Sequence, residues 1–341
     1  MMLVIDKKDS TIAFQTGCLL IEQPGESRRR IPVKQLEVVI IYGAAMVSAA
    51  AWRGLAAAGV PAILLASRGE QTVALLGAGL ATQLPLRRMQ HRCADDPACS
   101  ARVAAWFVRR KLYSYRPLTE LCLEWMGDEA APRIESYAAA VDSALQALDE
   151  ATEVSTVMGI EGYVARTWFQ LLADILPEQW KFGGRNRRPP RDPVNAMLSL
   201  GYTLLWADVR HQLIAYGLDP ALGFLHQDYP GREGLVLDYC EPWRSGVDAM
   251  VLALIQEGVV RPEDFYYREK EGCRLSKQAR PMFYQAWAKQ REAWPRWHGG
   301  HDSEDGADPA ETGRTAPLRQ QLGGMVQAFR QQLTEQEEKH G

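Results

Sequence analysis

The stretch IPVKQLEVVIIYGAAMVSAAAWRGLAAAGVPAILL, residues 31–65, decides the first part of the fold. Within it, VVIIYG at 38–43 is an unbroken apolar run closed by a glycine, the pattern of a buried strand. Met46–Ala58 then gathers small residues and stops at Gly59, which reads as a helix and its terminator. Val60–Leu65 is apolar again and predicts another strand. Working outward, Met2–Ile5, Thr11–Ile21 and Ile31–Tyr42 read as strands before the helix. Thr72–Leu76 follows a turn at Ser67–Glu70. Residues 1–85 are therefore expected to form a mostly β unit carrying one helix.

From about residue 86 the period changes. Apolar residues recur every three or four positions in Ser100–Tyr115, Arg133–Glu150 and Ser155–Leu176, the signature of helices with one buried face. A further helix has a clear entrance, with Asp192 as N-cap and Pro193 in the first turn, and it stops at Gly217. Another begins near Pro242. Residues 86–297 are thus expected to be an all-helical domain, and the fold class is α+β. After Trp297 the composition turns polar and rich in Gly and Pro, as in a flexible linker, before an amphipathic Leu318–Leu333. Residues 298–341 are read as linker plus terminal helix, either a docking element or a solubility tail.

The 341 residues suit two domains, and 47% hydrophobic with 24% charged residues is ordinary for a globular protein. No apolar run approaches the roughly 18–20 residues a membrane span needs, and MMLVIDKKDS lacks a signal-peptide core. A cytoplasmic protein is expected. Its six scattered cysteines, with no C-x-x-C pair, are read as reduced thiols. His91, Cys93 and Cys99 have the chemistry of a zinc site but no evident fourth ligand. The net charge of −3 does not announce nucleic-acid binding, yet arginines cluster at 28–30 and 185–191. The absence of a Walker A loop and of a Ser/His/Asp or Cys/His signature points away from ATP use and from a protein nucleophile.

Three places carry candidate chemistry for a hard divalent cation, which takes oxygen ligands and sometimes imidazole. Glu161 in MGIEGYVAR lies between two glycines that each cost a helix about 1 kcal/mol, so close approach of backbone or ligand would compensate. His226 ends the apolar stretch Ala221–Leu225 beside a polar turn, where one ring nitrogen can ligate while a neighbour fixes the other. Asp238 and Glu241 stand three apart after apolar Leu235–Leu237 and share one face of a helical turn. Each also has a plain structural alternative: an exposed glutamate, a structural histidine and acids favoured at a helix start. RNRRPPR at 185–191 places Arg185, Arg187, Arg188 and Arg191 in a proline-stiffened loop suited to phosphate contacts. Trp180 and Phe182 upstream offer a surface for an unpaired base.

Four blocks, MGIEGYVARTWF, RNRRPPRDPVNAMLSLGYTLL, GLDPALGFLH and LVLDYCEPWR, follow the β-rich stretch in an order that resembles the CRISPR-associated adaptation integrases, the spacer-acquisition endonucleases, over about residues 3–295. The resemblance implies a Mg²⁺ or Mn²⁺ site of Glu161, His226 and Glu241, with Glu241 where many relatives have Asp. It implies Asp238 as a second acid beside the site, and Asn195 and Tyr202 as supports of the site or the DNA. It further implies attack of a DNA 3′-hydroxyl on a phosphodiester of the CRISPR array. The implied assembly is a homodimer formed through the N-terminal domain, two dimers flanking a small adaptation partner protein in a heterohexamer. A stand-alone nuclease on branched or single-stranded DNA and a non-catalytic DNA-binding scaffold are the competing readings.

Overall fold

Strand-forming Val and Ile runs at the start of the chain resolve into short strands in this computed structural model, which describes residues 1–65, 74–76, 83–186, 189–227, 231–269, 271–295 and 315–338. Contacts divide the chain into two compact units, Met1–Ala81 and Thr82–Gly341. The first contains β1 (Met2–Ile5), β2 (Ser10–Gln15), β3 (Cys18–Glu22), β4 (Arg29–Pro32), β5 (Val38–Tyr42), β6 (Ala45–Val47), α1 (Ala49–Ala57), β7 (Ala62–Leu65) and β8 (Ala74–Leu76). One sheet has the order β1-β5-β7-β8, parallel except for β8, and the other runs β4-β3-β2-β6. β5 is central in its sheet, which is why Val38–Ile41 are buried without alternation. Leu3, Ile12, Ile21, Ile41 and Leu55 join in one core.

Two predicted strands divide. Thr11–Ile21 is a hairpin, because Thr16 and Gly17 take left-handed conformations (φ 51° and 71°) that turn β2 into antiparallel β3. Ile31–Tyr42 is interrupted by a 3₁₀ turn at Val33–Gln35. The predicted helix at Met46–Ala58 begins later. Ala45–Val47 pairs with β2, and the Ser48 hydroxyl then accepts from the Ala51 amide to cap α1.

The second unit holds α2 (Leu84–Asp95), α3 (Pro97–Met126), α4 (Ala131–Glu150), α5 (Val154–Ile175), α6 (Pro193–Ala215), α7 (Gly234–Cys240), α8 (Arg244–Gln256), β9 (Phe265–Arg268), β10 (Gly272–Leu275), α9 (Arg280–Glu292), β11 (Trp294–Pro295), β12 (Thr315–Ala316) and α10 (Leu318–Glu338). α3 is longer than Ser100–Tyr115 and continues through Pro117. Contacts with α4, α5 and α8 support it along its length and outweigh the lost hydrogen bond. Asp192 caps α6 by accepting from the Asn195 amide, with Pro193 first in the helix. The helix expected near Pro242 is α8, which starts at Arg244 after a 3₁₀ turn at Glu241–Trp243 that follows α7.

Two further expectations are corrected and one open alternative is decided. The unit is helical but not all-helical, since β9 and β10 form an antiparallel hairpin whose Cys273 amide donates to the Pro190 carbonyl at 2.7 Å. The terminal helix is no loose tail. Phe329 of α10 is fully buried among Trp106, Phe107, Phe224 and Tyr239. The linker residues 298–314 lie outside the described residues. Cys93 and Cys99, read as reduced thiols, are joined in a disulfide across the α2–α3 corner, which commits both sulfurs that a zinc site would have used. Of the described helices, none is long and apolar enough to cross a membrane.

Candidate metal centre

The loop that carries His226 is built by close backbone packing. A Cβ on Gly234 would lie 2.3 Å from the His226 carbonyl oxygen, and one on Gly223 would lie 2.6 Å from the Gly234 carbonyl carbon. Only glycines let this loop sit on the first turn of α7. Seated there, it meets the fully buried Asp238. One carboxylate oxygen accepts from the Phe224 and Leu225 amides at 2.6 and 3.0 Å; the other accepts from the His226 amide at 3.0 Å and from His226 Nδ1 at 2.8 Å. Asp238 therefore orients the ring and leaves Nε2 available. Burial works against the imidazolium, but this hydrogen bond and the charges of Asp238 and Glu241 outweigh it, raising the His226 pKa above its ordinary value.

Glu161 projects from α5 and Glu241 from the turn after α7, and both reach one cation, Lys111 of α3. Lys111 Nζ donates to Glu161 Oε1 and, at 2.6 Å, to Glu241 Oε2. Arg244 holds the other oxygen of Glu241 at 2.8 Å. Burial alone would favour the neutral acid, yet Arg244, Lys111 and His226 together pull Glu241 down to about 2. Glu161 is the more open of the two acids, 17% exposed against 3% for Glu241. Among the described residues no three His, Cys, Asp or Glu side chains are grouped at ligand spacing. Two of the predicted three converge on an ammonium instead. The donor set itself, two carboxylates sharing one cation and an imidazole steered by a third, fits a divalent ion such as Mg²⁺ or Mn²⁺.

Behind this cluster lies Asp248 of α8, fully buried, which accepts from Tyr115 OH at 2.9 Å, from Trp168 Nε1 at 2.8 Å and from Tyr202 OH. Its pKa is raised because burial outweighs those three bonds. Arg244 lies 5.0 Å and Arg185 5.5 Å from the centroid of the Tyr202 ring. Arg185 also donates to Asn195 Oδ1 at 2.7 Å, while Asn195, fully buried, donates to the Gly184 carbonyl and to Asp192. Arg185, Asn195 and Tyr202 thus brace the start of α6, whereas Arg191 is exposed. Arg187 and Arg188 lie outside the described residues.

Several expectations fail at this level. Trp180 and Phe182 are buried and present no surface to a base. Gly159 and Gly162 have nothing outside their own helix backbone within 4 Å of a built Cβ among the described residues, so the backbone half of that expectation fails there. Sequence reading also missed Lys111, Arg244 and Asp248. Each left a signal: Lys111 falls on the apolar face of α3 with Val108 and Tyr115, Arg244 stands three residues after Glu241, and Asp248 interrupts the run GVDAMVLAL.

A strand-rich unit thus precedes a helical one that brings Glu161 and Glu241 to one cation and holds a histidine steered by Asp238. A family model described as CRISPR associated protein Cas1 matches residues 3–289, and the chain belongs to that family. It is 30% identical over 295 residues to the CRISPR-associated endonuclease Cas1 1 of Chlorobaculum tepidum, covering 85% of this chain and 86% of the relative. Among solved structures, a casposase bound to integration product matches with a TM-score of 0.80 at 20% identity, over 98% of this chain and 91% of the other. A Cas6-RT-Cas1–Cas2 complex matches with a TM-score of 0.77 at 21% identity, over 98% and 35%. At such identities these structures speak for the fold.

Proposed function

We propose that the chain is a CRISPR adaptation integrase that inserts short DNA fragments into a CRISPR array through metal-dependent attack of a DNA 3′-hydroxyl on a phosphodiester. The observation that carries this reading is the convergence of Glu161 and Glu241 on one cationic point beside a histidine that Asp238 orients. Family membership and the casposase, which is described on its integration product, support strand joining.

Glu161, Glu241 and His226 Nε2 would hold the ion. Bound there, Mg²⁺ or Mn²⁺ supplies polarisation of the scissile phosphate and stabilises charge on the attacking and leaving oxygens. Asp238 keeps the imidazole in one tautomer and orientation, and Arg244 fixes the reach of Glu241. Arg191, with Arg187 and Arg188 of the same loop, would take DNA phosphates, on a base stiffened by Arg185, Asn195 and Tyr202. The partners are fragment and leader–repeat DNA, a second copy joined through the N-terminal unit, and a small adaptation protein in a heterohexamer, all in the cytoplasm. The neighbour containing Cas2 supports that last partner.

The test incubates the full chain, Mg²⁺ or Mn²⁺, a labelled short duplex and a plasmid bearing a leader and repeats. Joined products are expected, and Glu161→Ala and His226→Ala should reduce them to background with helicity unchanged by circular dichroism. Cleavage without joining favours the stand-alone nuclease, a reading the relatives' printed name, endonuclease, supports. Undiminished joining in both variants overturns the metal site.

A further inference from the structure

We propose that Lys111 is the resident counter-ion of the metal site, a built-in cation that a divalent ion must displace in order to bind Glu161 and Glu241. The inference rests on the metal reading given above and adds a competitor from the chain itself. Its ground is geometric. One atom, Lys111 Nζ, stands between the two glutamates and bonds an oxygen of each. The second oxygen of Glu241 is taken by Arg244 at 2.8 Å, so the oxygen that Lys111 occupies is the one turned toward Glu161. An incoming ion and the ammonium therefore compete for the same lone pairs.

Chemistry says which of the two neighbouring cations yields. Arg244 is a planar fork that also lies over the Tyr202 ring, and a guanidinium fixed on two sides does not swing away at low cost. Lys111 is a point charge on a flexible four-carbon stem. Two carboxylates facing each other in a buried site repel unless a cation lies between them. Lys111 supplies that cation with one charge, and a divalent ion supplies it with two. The ammonium thus keeps the glutamates converged, at the expense of metal affinity.

The experiment measures Mn²⁺ binding to the full chain by isothermal titration calorimetry, without DNA and without an activity readout. Lys111→Met should bind Mn²⁺ about tenfold or more tightly than the wild type, since the competitor is gone. Lys111→Arg, which keeps the charge, should stay near wild type. Because Lys111→Met removes the ammonium that Glu161 and Glu241 share, its folding is followed by thermal unfolding, where Mn²⁺ should raise its midpoint further than that of the wild type. A second measurement needs no variant. Acylation of the wild-type lysines by a succinimidyl ester, mapped by mass spectrometry, should label Lys111 faster once Mn²⁺ is added, and this alone decides if Lys111→Met does not fold. Mn²⁺ binding that requires Glu161, tested with Glu161→Gln, but is not tightened by Lys111→Met overturns the counter-ion and leaves the metal site standing. Lys111 labelling that Mn²⁺ leaves unchanged or slows does the same. No Mn²⁺ binding, or binding indifferent to Glu161→Gln, overturns the metal reading and the counter-ion with it.

Discussion

Asp238 shows how much one carboxylate can settle. It gathers three consecutive amides and one imidazole, so the loop before α7 and the ring of His226 are fixed by the same group. Asp238→Asn keeps the shape but turns an amide NH₂ toward groups that are all donors. We expect a loss of about 1–3 kcal/mol in stability from the unmatched donors. Activity should fall about ten- to a hundredfold, as is usual when a ligand's orienting partner is removed. A readout specific to the contact is the His226 pKa. Asp238 is among the groups that raise it, and burial alone lowers it, so an NMR titration should place His226 lower in the variant than in the wild type. An unchanged His226 titration would show that Asp238 does not act on the ring. At this scale sequence reading named the four acid and histidine positions, and the resemblance set Asp238 beside the other three; that Asp238 also gathers three backbone amides was not legible. Lys111 left a signal of burial on α3, but its partners were out of reach because they stand 50 and 130 residues away along the chain.

Elements were legible where one signal dominated. The Asp192–Pro193 entrance of α6 was plain because the cap is local, and α5 because its apolar face is regular over 22 residues. Elements whose form depends on distant packing were not. The β9–β10 hairpin lies inside a helical unit, and its Gly272 meets the Pro190 carbonyl, with 2.3 Å left for a Cβ. α10 was visible as an amphipathic helix, but nothing in its own sequence says that Phe329 enters an aromatic cluster. That cluster contains Phe224, two residues before His226, and Tyr239, the residue after Asp238. Phe329→Ala should therefore cost about 3–5 kcal/mol, the range for emptying a buried aromatic site. Urea unfolding followed by far-UV circular dichroism measures it. A cost below about 1 kcal/mol would mean that α10 is not an integral part of the helical core.

At the scale of the whole molecule, the two units carry separate cores and divide the chain at Ala81 and Thr82. Glu161, His226, Asp238, Glu241, Lys111 and Arg244 all belong to the second. A fragment of residues 82–341 is accordingly expected to fold alone, with a cooperative thermal transition, and to bind Mn²⁺ within about threefold of the intact chain. Calorimetry on the fragment checks this, and a fragment that folds but has lost the ion would show that the first unit contributes to the centre. The α+β division was readable because apolar period changes from runs to helical spacing near residue 86. The boundary expected after residue 85 falls close to the division at Ala81 and Thr82, whereas the inclusion of α10 in the second unit was not readable, since contacts between remote segments set it.

The burial of Phe329 against Trp106 and Phe107 also bears on how the protein is made. Roughly 220 residues separate Phe107 from Phe329, which at about 5–20 residues per second is roughly 10–45 s of translation. Through that interval the aromatic face of α3 emerges from the ribosome without the helix that covers it. The nascent chain is thus expected to need shielding of that apolar surface, and the packing of Phe224 and Tyr239 beside His226 and Asp238 is complete only after synthesis of α10.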